Sequence, residues 1–181
     1  MAKFAAALLF RFDMIKTERL HLIHADATLW EAALMSNKTL SMALGANVPK
    51  RWTEYADSFP AFLKLVKEDP SLEMWGGKLI VHRADNLLIG VCGFKGKPSE
   101  DGQVEIGYEI KETYRGQGLA TEAAAALLDF AQRNATIKAI NAHTISPNNA
   151  STRVLQKLQF ALMGELPGPE EGTIYHWQRQ F

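Results

Sequence analysis

The sequence predicts a mixed α/β domain built on a central sheet of about seven strands, with helices on both faces. Three observations carry this. Val104, Ile106, Tyr108 and Ile110 alternate with Glu105, Gly107 and Glu109, the two-residue period of a strand. Leu119, Ala123, Ala126, Leu127 and Phe130 follow at helical spacing, inside an alanine-rich run of high helix propensity. The whole chain then reads as strand, two helices, three strands, helix, strand, helix and two strands, with no repeat or linker. Such a mixture buries its apolar faces as a sheet covered by helices. At 181 residues, 47% of them hydrophobic, the chain suffices for one domain with a substantial core.

Met1 to Asp13 is expected to be an extension outside the fold, leaving a single domain over 14–181. Its apolar run, Phe4 to Phe10, is too short to span a bilayer, and no small-residue cleavage site follows it. Arg19 to His24 alternates as a first strand. Asp26 or Thr28 caps a helix to about Ser36, with Leu29, Trp30, Ala33 and Leu34 inward. Gly45 to Pro49 is a loop. Thr53 caps a second helix, about Glu54 to Lys67, in which Pro60 bends the helix or starts its main part. Trp75 to His82 and Leu87 to Phe94 form a hairpin around Arg83-Ala84-Asp85-Asn86. The polar stretch from Lys95 to Gly102 leads into the strand at Val104. After the alanine-rich helix come a fifth strand (Ile137 to Ser146), a helix opened by Pro147-Asn148-Asn149, and the last two strands, Phe160 to Leu166 and Thr173 to Gln180.

Lys plus Arg balances Asp plus Glu at 20 each, so direct nucleic-acid binding is not expected. Neither is a membrane span. The single Cys92 leaves no intrachain disulfide and no thiolate cluster, which suits a reducing cytoplasm, and it reads as a small buried hydrophobe. His21, His24, His82 and His176 show no metal-ligand spacing, so no metal is expected.

Two constellations point to chemistry. The first joins the central strand to its helix: Arg115-Gly116-Gln117-Gly118-Leu119-Ala120-Thr121. Glycines admit close backbone approach, the first-turn N–H groups lack intrahelical partners, and the dipole makes that end positive, so an anion belongs there, most plausibly a phosphate or pyrophosphate. Arg115 adds a charged donor. The spacing departs from a dinucleotide fingerprint, which argues against a nicotinamide enzyme. In the second, Asn148, Ser151, Val154, Leu155 and Leu158 share one helical face, which places the Asn and Ser inward. For Asn148 a capping role is an equal alternative.

Together these constellations resemble the GNAT superfamily of acyl-CoA-dependent N-acetyltransferases. The loop matches its signature at Arg115, Gly118 and Ala120. The RimJ/RimL-like branch is suggested by Thr17-Glu18-Arg19-Leu20, Leu88-Ile89-Gly90, Glu105-Ile106-Gly107-Tyr108, Tyr114-Arg115-Gly116, Ala120-Thr121-Glu122-Ala123 and the Asn148, Ser151, Val154, Leu155 set. The resemblance implies a fold whose fourth and fifth strands splay, with acetyl-CoA lying in the gap. It implies that Arg115 to Thr121 hold the pyrophosphate and that main-chain groups of Tyr108 and Ile110 pair with the pantetheine arm. Asn148 and Ser151 complete the cofactor contacts. It implies Glu105 as general base with His143 as runner-up, and Ser151 as the acid for the leaving thiolate. The tyrosine many relatives carry in this helix falls near Leu155 and is absent. Trp52, Trp75 and the Gly45-to-Tyr55 loop lie where relatives build the acceptor pocket, although core packing is the plainer role for each Trp. Glu170 and Glu171 are placed to attract a cationic amine or simply to be solvated. The implied partner is an amine acceptor, a peptide N-terminus or a small molecule, and the enzyme a monomer or homodimer. The alternative is a non-catalytic acyl-CoA sensor on the same fold.

Overall fold

The computed structural model describes residues 13–169 and 172–181. The first twelve residues of the expected extension, and Glu170 and Glu171, lie outside that range. The sheet has eight strands rather than seven, in the order β1-β2-β3-β4-β5-β6-β8-β7. They are β1 (Met14–Lys16), β2 (Leu20–His24), β3 (Gly77–His82), β4 (Leu87–Phe94), β5 (Gln103–Ile110), β6 (Ala139–Thr144), β7 (Ala161–Pro167) and β8 (Thr173–Gln180). The added strand is β1, which pairs antiparallel with β2. Only β5 and β6 run parallel, and α5 (Leu119–Gln132) supplies the crossover between them.

Helices cover both faces. α1 (Ala27–Met35), α2 (Asn37–Leu44) and α3 (Phe59–Glu68) pack on one. There Trp30, Leu40, Leu44 and Phe59 meet Leu79, Val81, Leu88 and Val91. On the other face, α5 and α6 (Ala150–Lys157) bury Leu119, Ala123, Leu127 and Leu155 against Ile80, Ile89, Val104, Ile106 and Ile140.

Local chemistry explains where the sequence reading and the structure differ. Asp26 caps α1 as expected, its side chain accepting the Leu29 N–H at 2.8 Å. α2 has no counterpart in the sequence reading. It is nevertheless signed at both ends, by Ser36, which accepts the Thr39 N–H, and by Gly45 in the left-handed conformation at φ 69°. Thr53 caps no helix: its hydroxyl donates to Glu109 and accepts the Tyr55 N–H in a turn, and α3 starts later, with Pro60 in its first turn. Trp75 belongs to a one-turn helix, α4 (Leu72–Trp75), rather than to a strand. Trp52 and Trp75 are both buried. Trp52 stacks on Phe59 and Trp75 packs against Phe94 and Phe130. No helix among the described residues is long and apolar enough to cross a membrane. Burial pushes the Cys92 thiol up to about 12, which fits an inert core position.

Candidate active site

The sheet forks at its centre. β5 and β6 pair at only three positions, Gln103 with Ala139, Val104 with Ile140 and Glu105 with Asn141. Beyond that point each strand keeps only its outer neighbour: β4 pairs with β5 as far as Ile110, and β8 with β6 as far as Thr144. Glu105 therefore stands at the apex. The β4–β5 register is unbroken from Phe94–Ile106 to Gly90–Ile110, so no bulge disturbs the alternation along β5. The Lys95 N–H bonds to the Glu105 carbonyl and the Lys111 N–H to the Ile89 carbonyl. Odd-numbered main-chain groups thus face β4. The even-numbered ones, at Ile106, Tyr108 and Ile110, face the gap.

The N-terminus of α5 opens beside this gap. Its cap residue is Gly118, and no side chain caps its first turn. Gly116 and Gly118 have φ of 78° and 79°, so glycine is required here for its conformation. Among the described residues, nothing lies within 4 Å of where a Gly116 Cβ would stand, and only the Arg19 guanidinium comes within 4 Å at Gly118. Arg115, Gly116, Gln117 and Gly118 are exposed while Leu119 is buried. Ala120 and Thr121 continue the first turn. Open amide donors, room in front of them and an adjacent guanidinium fit a diphosphate. Arg115 also has a structural bond, its Nε donating to the Ile110 carbonyl at 2.8 Å, which ties the loop to the end of β5. That bond engages the Ile110 carbonyl, so Ile110 offers a pantetheine arm its N–H.

The two candidate bases touch. His143 Nδ1 lies 2.9 Å from Glu105 Oε1, and Lys95 Nζ approaches the same oxygen. Both groups lie within bonding distance, but neither is well aimed at Glu105 Oε1. Burial alone pushes the Glu105 carboxyl up, but Lys95 and His143 outweigh it and hold the group below its ordinary value. The carboxylate therefore stays ionised. The His143 ring stacks on His176 at 5.1 Å, and His176 meets Asn141 at 2.8 Å, so the imidazole is held in one orientation.

At α6 the expectation is half right. Ser151 is half-buried and meets the Tyr108 hydroxyl at 3.0 Å. Asn148 is exposed and neither points inward nor caps the helix. The cap is Asn149, whose side chain accepts the Thr152 N–H at 2.9 Å, and the buried polar residue of the first turn is Thr152. The helix is capped one residue later than Asn148, so Asn148 lies before the helix and its side chain is exposed. Burial raises the Tyr108 phenol above its ordinary value, partly offset by Ser151, so it is a hydroxyl donor near neutrality.

Sequence reasoning missed three groups here. Lys95 is legible in retrospect, because the β4–β5 register sets it opposite Glu105. Arg19 donates Nη1 to the Gln117 carbonyl at 2.9 Å and Nε to Glu122 at 2.7 Å. Thr17 closes the same clasp on Glu122, so two of the short motifs noted above join here. Glu109 accepts from the Thr53 hydroxyl and the Glu54 N–H, anchoring the Gly45-to-Tyr55 loop on β5. Among the described residues, no group of three or more His, Cys, Asp and Glu is placed to hold a metal ion.

The family described as the acetyltransferase (GNAT) domain matches residues 19–161. An uncharacterized N-acetyltransferase of Bacillus subtilis (strain 168), YjdG, is 28% identical over 151 residues, 82% of this chain and 90% of that protein. Two solved structures share the fold. One is a GNAT-family acetyltransferase from Bacillus anthracis, with a TM-score of 0.64 at 22% identity, covering 93% of this chain and 98% of that one. The other is RimL, a ribosomal alpha-N-protein acetyltransferase in complex with coenzyme A, with a TM-score of 0.65 at 23% identity and the same coverages.

Proposed function

The chain belongs to the acetyltransferase (GNAT) family, and from that premise we propose how its residues divide the work of N-acetylation. Acetyl-CoA supplies the acetyl group as a thioester: the acceptor nitrogen forms a bond to the carbonyl carbon, the carbon–sulfur bond breaks, and the thiol leaves. The residues from Arg115 to Thr121 hold the diphosphate on the open start of α5, with Arg19 steadying the loop from behind. Main-chain groups of Tyr108 and the N–H of Ile110 align the pantetheine arm along the free edge of β5. An N–H directed into the gap near Ile110 stabilises negative charge developing on the carbonyl oxygen.

Glu105 accepts the proton of the acceptor amine. His143 orients that carboxylate and is the competing base. Lys95 keeps Glu105 ionised and, as a nearby cation, favours the neutral amine that can attack. Ser151, bonded to the Tyr108 hydroxyl, returns a proton to the sulfur. Tyr108 thereby brings a phenol to the place where the helix lacks one. The acceptor is a primary amine of a peptide N-terminus or a small molecule, and the setting is the cytoplasm. The fork carries the reading: Glu105 stands where β5 and β6 part, and Arg115 ties the uncapped start of α5 to the end of β5.

Glu105→Gln should lower kcat roughly 10²-fold and remove the acidic limb of the pH–rate profile, with acetyl-CoA affinity by calorimetry intact. An unaltered rate with a lost acidic limb in His143→Gln instead would transfer the base role to His143.

A further inference from the structure

Between its two glutamates, β5 presents no side chain on the acceptor face. Glu105 is engaged by Lys95 and His143, and Glu109 by Thr53 and Glu54. Gly107 sits between them. Its partner across the ladder is also a glycine, Gly93. A cavity of about 530 Å³ stands against this bare backbone. Trp30 and Phe62 line it, Tyr55 and Leu65 lie at it while each remains 50% exposed, and Lys95 is its charged side chain. Tyr55 is carried by the loop that Glu109 anchors.

We infer that this cavity receives an aromatic substituent of the acceptor, so that the preferred substrate is a primary amine a few bonds from an aromatic ring. The geometry supports it. Gly107 is two residues along β5 from Glu105 on the same face, roughly 6.6 Å at strand rise. A two-carbon tether spans that distance, leaving the nitrogen at Glu105 and the ring over Gly107. The walls are apolar, and the half-exposed Tyr55 and Leu65 gain burial when a ring enters. The cation at the cavity, Lys95, repels a second ammonium, which disfavours polyamines and aminoglycosides. The position of the nitrogen rests on the transferase reading above; the ring site itself does not.

The test uses the full chain with two amines, 2-phenylethylamine and ethylamine. With acetyl-CoA saturating, kcat/KM should favour the aromatic amine by roughly 100-fold. Among the described residues, a Cβ at Gly107 would meet only the Lys95 side chain, at 3.8 Å, so Gly107→Val fits the fold while filling the cavity; it should bring the ratio toward one. Leu65→Gln, at an exposed helix position, should lower the ratio as well and serves if Gly107→Val unfolds. A parallel pair of peptides beginning with Phe or Ala identifies the source: discrimination there points to a protein N-terminus, and discrimination among free amines alone points to a small molecule. Calorimetric titration of 2-phenylethylamine into the chain saturated with CoA reads occupancy without turnover. Binding without transfer would sink the transferase reading and keep the ring site. Transfer with equal kcat/KM for both amine pairs, or no calorimetric binding of 2-phenylethylamine, overturns the ring site.

Discussion

The two helices flanking the fork begin in opposite ways. α6 starts on Asn149, whose side chain takes the Thr152 N–H, and the Thr152 hydroxyl bonds back to the Ser146 carbonyl at 3.0 Å. α5 starts on Gly118, with no side chain over its first turn. α1 and α2 are sealed like α6, by Asp26 and Ser36. What holds the start of α5 comes from outside the helix: Arg19 and Thr17 grip Glu122, and Arg19 fixes the Gln117 carbonyl. α3 also begins without a side-chain cap, but Pro60 in its first turn removes one of the free donors. The start of α5 keeps its donors and is positioned by distant residues, as the proposed diphosphate site requires.

The sharpest way to break this contrast is to give α5 the cap it lacks. Gly118→Asp places a carboxylate over the first-turn amides and forces a side chain onto a left-handed residue, at about 1–2 kcal/mol of strain. Acetyl-CoA affinity measured by calorimetry should fall more than roughly 100-fold, given loss of the donors and like-charge repulsion. Retained affinity would mean the diphosphate sits elsewhere.

A smaller effect is expected from loosening the external clasp. Glu122→Gln removes the charge paired with Arg19 and should cost roughly 2 kcal/mol in denaturant unfolding. Its pH signature has a definite sign. Burial raises the Glu122 carboxyl, but Thr17 and Arg19 outweigh it and hold the group below its ordinary value of 4.5. The folded state then binds fewer protons than the unfolded one, so this stabilisation is complete above about 4.5 and is lost as pH falls through the folded value. The variant should lose stability less steeply with acid than the parent. Parallel acid limbs would remove Glu122 from the clasp.

The mildest change tests the sealed helix. Asn149→Ala should cost about 1 kcal/mol of stability, with acetyl-CoA affinity unchanged by calorimetry. A large loss of affinity would show that the α6 cap also serves the ligand, and the contrast would dissolve.

Much of this was legible in the residues. The period of Val104 to Ile110 and the alanine-rich helix after it led to the right elements, and the glycine loop to an open helix start. The missed pieces share a cause. β1 has three residues and α2 eight, too short for a periodic signal against the background of neighbouring polar positions. Asn148 leaves the inward face because helical spacing holds only inside the helix, and Asn148 precedes the cap Asn149. Thr53 resembles a helix cap, but Glu109, 56 positions away, takes its hydroxyl.

By itself the sequence determined the longer strands and helices, because side-chain periodicity and caps act over a few residues. The two glycines of the loop allowed its close approach and left-handed turns, and the structure supplied φ of 78° and 79° at Gly116 and Gly118. Only the tertiary structure decided that Glu105, His143 and Lys95 share one site, that Tyr108 reaches Ser151, and that the start of α5 is fixed by Arg19. Those contacts join residues distant along the chain, and strand register and helix packing bring them within hydrogen-bonding range only once the sheet has formed.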